Sequence, residues 1–262
     1  MYEHTPLKHV PHKYGAGLTI AIILAAILVS GSLIFLGLQL AKNGGLSDKD
    51  LQVKIAEGID VYIKNEQQKA VQAQEEKNKP KYVKGDFADN DAFLGEKDAP
   101  VTIVEFSDYQ CPYCANFFSE TMPEIREKYI NTGKVKFVYR DFPLSFHKDA
   151  YPAALLAECV RDQAGDIAYF KMHDKIFQTL SGGFDYDALS KYAVDLGVNG
   201  SGLKTCFDSD KFKDEIAKDQ ADGNAVGIDG TPGFIVNGLV VAGAQPFSYF
   251  EKIIEAELAK TK

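Results

Sequence analysis

Hydrophobic and polar positions divide the chain into stretches of different period. After a polar tail at 1–14, residues 15–41 carry no charge and include TIAIILAAILVSGSLIFLGLQLA. As a helix this run would extend ~40 Å, more than the ~30 Å hydrocarbon core of a bilayer. It predicts a transmembrane anchor. A cleaved signal peptide is the other reading, although such a segment has a shorter apolar core ending in small residues. In 42–85, Leu51, Ile55, Ile59, Tyr62 and Ile63 fall at helical spacing before the polar stretch NEQQKAVQAQEEKNK. Ser47 suits the start of that helix and Pro80 its end. The segment reads as a solvated stalk or as a helix that pairs with a second copy.

From 86 to 262 the pattern changes to that of an α/β domain. Residues 100–106 form a β-branched, apolar strand, 111–130 a helix, and 134–139 an alternating second strand. That order predicts a parallel pair with a right-handed crossover. Residues 147–222 then read as helices, with Gly182, Gly183 and Gly197–Gly202 between them, and their Asp and Glu residues at solvent-facing spacing. Asn237-Gly238 between two apolar runs, 233–237 and 239–242, predicts a tight hairpin, and 245–258 a final helix.

Composition adds two exclusions. With 45% hydrophobic and 25% charged residues the chain has the makeup of a folded protein, and its net charge of −8 argues against a nucleic-acid surface. Lys8 and Lys13 precede the apolar run and Lys42 and Lys49 follow it, so positive charge does not set its orientation. Four cysteines are too few for a disulfide scaffold, and they fall as a close pair, Cys111 and Cys114, and a distant pair, Cys159 and Cys206.

The close pair carries the candidate chemistry. Cys111-Pro112-Tyr113-Cys114 follows a strand and opens a helix. There, unpaired N–H groups and the helix dipole favour a thiolate, the nucleophile of disulfide exchange. Cys114, one turn on, is placed to resolve a mixed disulfide, and Pro112 suits a first turn because it has no N–H to leave unpaired. A zinc site would need a second ligand pair, but the other cysteines lie far apart, and His147 and His173 are not at finger spacing. These two histidines read as helix-terminus and core-edge groups, and His4, His9 and His12 as solvated residues of the tail.

Together with Gly230-Thr231-Pro232 and the long helical insertion at about 147–222, the stretch VTIVEFSDYQCPYC at 101–114 resembles the DsbA-like, thioredoxin-fold proteins of the bacterial and archaeal cell envelope. The resemblance covers 87–262. It implies a thioredoxin-like fold with an inserted helical subdomain, preceded here by a transmembrane helix and helical stalk. Thr231-Pro232 then matches the cis-proline segment that presents backbone to substrate. Glu105 matches the buried acid beneath the disulfide, a paired structural carboxylate being the alternative. Tyr113 sits where members vary to tune redox poise. The resemblance also implies a structural disulfide between Cys159 and Cys206, against two separate buried thiols. It implies no cofactor beyond the redox-active Cys111–Cys114 disulfide. The expected partners are reduced or unfolded exported proteins and a quinone-linked membrane reoxidase of DsbB or vitamin K epoxide reductase type. The catalytic domain is expected on the extracytoplasmic side of a membrane. An oxidase that introduces disulfides leads. A reductase or isomerase using the same residues, and a peptide-binding assembly factor without redox turnover, remain open.

Overall fold

The computed structural model describes residues 47–77 and 80–260, so the tail and the apolar run at 15–41 lie outside the described residues. Among those described, no helix is long and apolar enough to cross a membrane. The chain divides into two compact units, Met1–Lys79 and Pro80–Lys262.

What is described of the first unit is one helix, α1 (Asp48–Lys77). Ser47 caps it: its Oγ accepts the Asp50 N–H at 3.3 Å and donates to Asp50 Oδ2 at 2.8 Å, satisfying one of the free donors of the first turn. Ile59, Tyr62 and Ile63 are exposed along it.

The second unit is built on a five-stranded sheet in the order β1-β3-β2-β4-β5. The strands are β1 (Phe93–Leu94), β2 (Val101–Ser107), β3 (Val135–Asp141), β4 (Gly233–Val236) and β5 (Leu239–Ala242). β2 and β3 run parallel from Val101↔Val135 to Ser107↔Asp141, and the other pairings are antiparallel. A parallel pair needs a crossover, and α2 (112–130) supplies it. The hairpin forms where Asn237-Gly238 predicts it. Both residues have positive φ, 44° and 91°, as a two-residue turn of this twist requires. The unit begins at Pro80 rather than 86 because the chain before β1 pairs with the hairpin. Val240 N–H reaches Lys81 O and Val83 N–H reaches Gly238 O, both at 2.8 Å.

α2 is wider than a regular helix. Pro123 has no N–H to return to the preceding turn, and π-helical Phe117–Thr121 and Arg126–Ile130 flank α-helical Met122–Ile125. The helical insertion comprises α3 (Ala150–Thr179), α4 (Tyr186–Asp195), α5 (Gly200–Asp208) and α6 (Lys213–Ala225), and α7 (Phe247–Lys260) closes the chain. α3 breaks at Gly165, whose φ of 74° suits glycine.

Alternation along β2 sends Ile103 into a core with Phe117, Phe234 and Phe250, while Val104 and Phe106 face a second core with Phe142 and Ile235. On that second face α6 lies close to the sheet: a Cβ at Gly223 would stand 2.9 Å from ring atoms of both Phe106 and Phe142.

One sequence expectation is overturned here. The acids of the insertion are not all solvent-facing, since Glu158 and Asp219 are buried, as are Asp91 and Asp141 on the sheet side. Glu158 lies 3.6 Å from Arg161, whereas for Asp91 and Asp219 the reason is Arg140, 1% exposed on β3. Its Nε lies 2.9 Å from Asp91 Oδ2, and its guanidinium donates to Asp219 and Asp222. Asp219 Oδ2 also accepts the Asp141 N–H at 2.9 Å. Removing one partner from such a buried pair costs about 3–5 kcal/mol, because the remaining charge is left uncompensated.

Candidate active site

Cys111 stands at the N-cap of α2 with extended backbone (φ −73°, ψ 123°), and Pro112 opens the helix. The turn before it is tied by Asp108, a residue that sequence reasoning passed over. Asp108 O accepts the Cys111 N–H at 3.0 Å, while Oδ1 accepts the N–H groups of Gln110 and Cys111 at 2.7 and 3.1 Å. Its other oxygen, Oδ2, accepts the Leu144 N–H at 2.7 Å and lies 2.8 Å from His147 Nδ1. One carboxylate thus fastens the CxxC turn to the loop after β3, where Phe146 is 76% exposed. The available signal was Asp108 itself: an aspartate two and three residues before groups needing a backbone acceptor is an Asx-turn pattern.

The two sulfurs differ in their surroundings. Cys111 Sγ lies 3.4 Å from the carbonyl of Thr231, whose peptide bond to Pro232 is cis. Both Thr231 and Pro232 are buried, so this segment lies beside the cysteine as expected. Cys114 Sγ is fully enclosed and accepts the Asp108 N–H at 3.5 Å. Pro112 and Tyr113 face solvent, Tyr113 at 64%.

Electrostatics separate the pair further. The Cys114 thiol donates to Cys111, and the Thr231 hydroxyl and the backbone N–H groups of Cys114 and Tyr113 add to that, holding the Cys111 thiol down at about 5 against a usual 9.0. Cys114 is pushed well above the usual thiol range by burial, by its bond to Cys111 and by Glu105. Glu105 is 3% exposed, faces no cation, and is pushed up to about 8 by desolvation. The alternative reading of Glu105 as a paired structural carboxylate finds no basic partner among the described residues. Ser107, two residues on, interacts with both Glu105 and Cys114 and was also passed over.

The other histidine and cysteine readings resolve as follows. His173 is not at the core edge but fully buried among the rings of Tyr109, Phe118, Tyr139, Phe170 and Phe177, with Nδ1 2.9 Å from Asp174. Cys159 on α3 and Cys206 on α5 are joined, with 5.9 Å between their Cα atoms. Elsewhere, Asp91, Glu215 and Asp219 bring carboxylate oxygens within 4.8 Å of one another, and the Arg140 guanidinium supplies positive charge there.

Such a site can exchange disulfides: a thiolate-favouring cysteine at a helix N-terminus, itself 4% exposed, an enclosed partner thiol one turn away, and a buried acid for its proton. Comparison with known proteins agrees. Residues 88–256 match the family model described as Thioredoxin. Disulfide bond formation protein D of Bacillus subtilis is 32% identical over 171 residues, 63% of this chain and 76% of that protein. A Rickettsia felis relative is 35% identical over 176 residues, 64% of this chain but 61% of its own length, so the match leaves more than a third of that relative uncovered. Among solved structures, oxidised BdbD from Bacillus subtilis superposes with a TM-score of 0.62 at 29% identity, covering 70% of this chain and all of that one. Wolbachia pipientis alpha-DsbA1 gives 0.57 at 26% identity, covering 66% and 96%.

Proposed function

The chain belongs to the thioredoxin family, as a thiol–disulfide oxidoreductase of DsbA-like type, and on that premise we propose that it introduces disulfides into exported proteins. The observation that carries the direction is the split between the two thiols. Cys111 is held near 5 while Cys114 is raised. A thiolate stabilised in this way favours the reduced enzyme, so the disulfide is given away rather than kept.

In the proposed cycle a substrate thiolate attacks Cys111 Sγ. The Cys111–Cys114 bond breaks, and Cys114 leaves and takes a proton. A second substrate thiolate then attacks the substrate sulfur of the mixed disulfide. Cys111 departs as a thiolate, a good leaving group because its pKa is low. The substrate has lost two electrons and the enzyme holds a dithiol. The Cys111–Cys114 disulfide is the redox group, with no dissociable cofactor, and a quinone-linked membrane reoxidase of DsbB or vitamin K epoxide reductase type takes the electrons away. Thr231-Pro232 presents backbone to the substrate chain beside Cys111.

Residues 15–41 are proposed to anchor the protein in a membrane, with α1 as a stalk and the catalytic unit on the extracytoplasmic side. The Cys159–Cys206 bridge supports that compartment, since structural disulfides persist where the surroundings are oxidising. The test is the reduction potential of Cys111/Cys114 in glutathione buffers, paired with oxidation of a reduced, unfolded protein by catalytic amounts. A potential well above the thioredoxin range of roughly −270 mV with net oxidation supports the oxidase. A potential in that range, or activity on scrambled disulfides alone, makes it a reductase or isomerase.

A further inference from the structure

When Cys114 leaves as a thiolate it needs a proton, and its sulfur is fully enclosed. The acid whose charge acts on it is Glu105 on β2, itself buried. Ser107 stands two residues along that strand, so its side chain leaves the same face as that of Glu105. Its chain neighbour Asp108 donates an N–H to Cys114 Sγ, which brings this end of β2 against the sulfur. The Ser107 hydroxyl is buried and holds no hydrogen bond in the resting arrangement. A buried hydroxyl left unpaired costs roughly 1–3 kcal/mol, which calls for a reason. Its dipole reaches both groups, drawing each pKa back downward against burial. A hydroxyl can accept one proton while donating another.

We propose that Ser107 relays the proton between the Glu105 carboxyl group and the Cys114 sulfur during disulfide exchange. The assignment rests on the oxidoreductase reading above. In the oxidising direction the substrate thiolate forms a bond to Cys111 Sγ, and the Cys111–Cys114 bond breaks with its electron pair on Cys114. The Ser107 Oγ–H passes to Cys114 as the Glu105 proton passes to Oγ, leaving a thiol and a carboxylate. Reoxidation runs the same path backwards. The titratable groups facing Glu105 are Cys111 and Cys114 from α2 and Tyr139 from β3, while β4 offers Phe234 opposite it. Tyr139 is the competing relay, since its hydroxyl is also buried without a partner. It stands opposite Glu105 on the neighbouring strand β3, whereas Ser107 shares β2 and its face with Glu105 and adjoins Asp108, whose N–H meets Cys114 Sγ at 3.5 Å.

The experiment follows reduction of the Cys111–Cys114 disulfide in the full chain by dithiothreitol across pH, for Ser107→Ala, Glu105→Gln and the double variant. Ser107→Ala is expected to slow the reaction at least about tenfold, with the loss confined to pH below about 8, where Glu105 still holds its proton. The double variant should be no slower than Glu105→Gln alone, because both changes break one path. Ser107→Thr, which keeps the hydroxyl, should return the pH profile of the parent chain. Rates for Ser107→Ala within about twofold of the parent, slowing additive with Glu105→Gln, or a Thr variant as slow as the Ala variant would each overturn the relay. So would a loss seen in Tyr139→Phe and not in Ser107→Ala. If Ser107→Ala does not fold, the Thr variant and the Tyr139→Phe comparison decide. A parent chain inert toward dithiothreitol would instead sink the oxidoreductase reading.

Discussion

Cys111 and Cys114 stand three residues apart at the mouth of one helix, unbridged, with one sulfur beside a backbone carbonyl and the other enclosed. Cys159 and Cys206 stand 47 residues apart on two helices of the insertion and are joined. Both pairs lie in the same unit and are made of the same side chain. The first pair is flanked by groups that act on charge: free N–H donors, a buried acid, a hydroxyl. The second lies in a core of apolar residues such as Val160, Leu203 and Leu156. What separates an exchangeable pair from a fixed one is therefore the provision for a thiolate, not the cysteines themselves.

The largest effect should come from the first pair. Cys111→Ser is expected to reduce oxidation of a reduced, unfolded protein to the uncatalysed background while leaving the thermal unfolding midpoint close to that of the parent. Residual turnover through Cys114 would blur the distinction between the two sulfurs. The reciprocal change, Cys159→Ala with Cys206→Ala, should leave the exchange rate near the parent's. It should lower stability by about 4 kcal/mol, from the chain entropy regained by a loop of this length. Denaturant unfolding measures it, and an unaltered midpoint would mean that the bridge holds nothing together.

Titration sharpens the contrast more finely. The Cys111 pKa is lowered from 9.0 to about 5 on folding, whereas the bridged cysteines do not titrate. A depressed acid stabilises the fold above its unfolded pKa, and that gain is lost as pH falls through the folded value. Heating the reduced and oxidised forms side by side should therefore show the reduced form gaining as pH rises from about 5 towards 9. Thiolate absorbance in the ultraviolet should titrate near 5, and a midpoint near 9 would erase the asymmetry. The smallest change expected is from Thr231→Val. This removes a hydroxyl that helps to lower the Cys111 pKa and should raise it by less than about one unit.

Much of this was legible in the sequence. The β-branched run before Cys111, the Pro112 that opens the helix and the Asn237-Gly238 turn are local signals, and each appears where they place it. Two-residue β1 is too short to carry a period, and the wide turns of α2 depend on Pro123 inside an otherwise helical pattern. Arg140 was hidden for a different reason. A charged residue on a strand, with Asp91 before β1 and Asp219 and Asp222 far along the chain on α6, looks solvated until tertiary packing brings them together. Asp108 and Ser107 were readable as a turn former and an ordinary strand residue. Their reach to Cys111 and Cys114 is a product of the fold.

Gly223 sets a limit on how the sequence can drift. α6 carries Asp219 and Asp222 over Arg140, and the missing side chain at 223 lets the helix settle that close to Phe106 and Phe142. Any larger residue would lift the helix and loosen two layers at once, the ring contacts and the ion cluster above them. In a saturation library selected for folded protein, position 223 should return glycine almost alone, while exposed positions of the same helix, such as Lys213 and Asn224, accept broad replacement. Where relatives diverge in the surface of this helix, that one position should lag behind the rest.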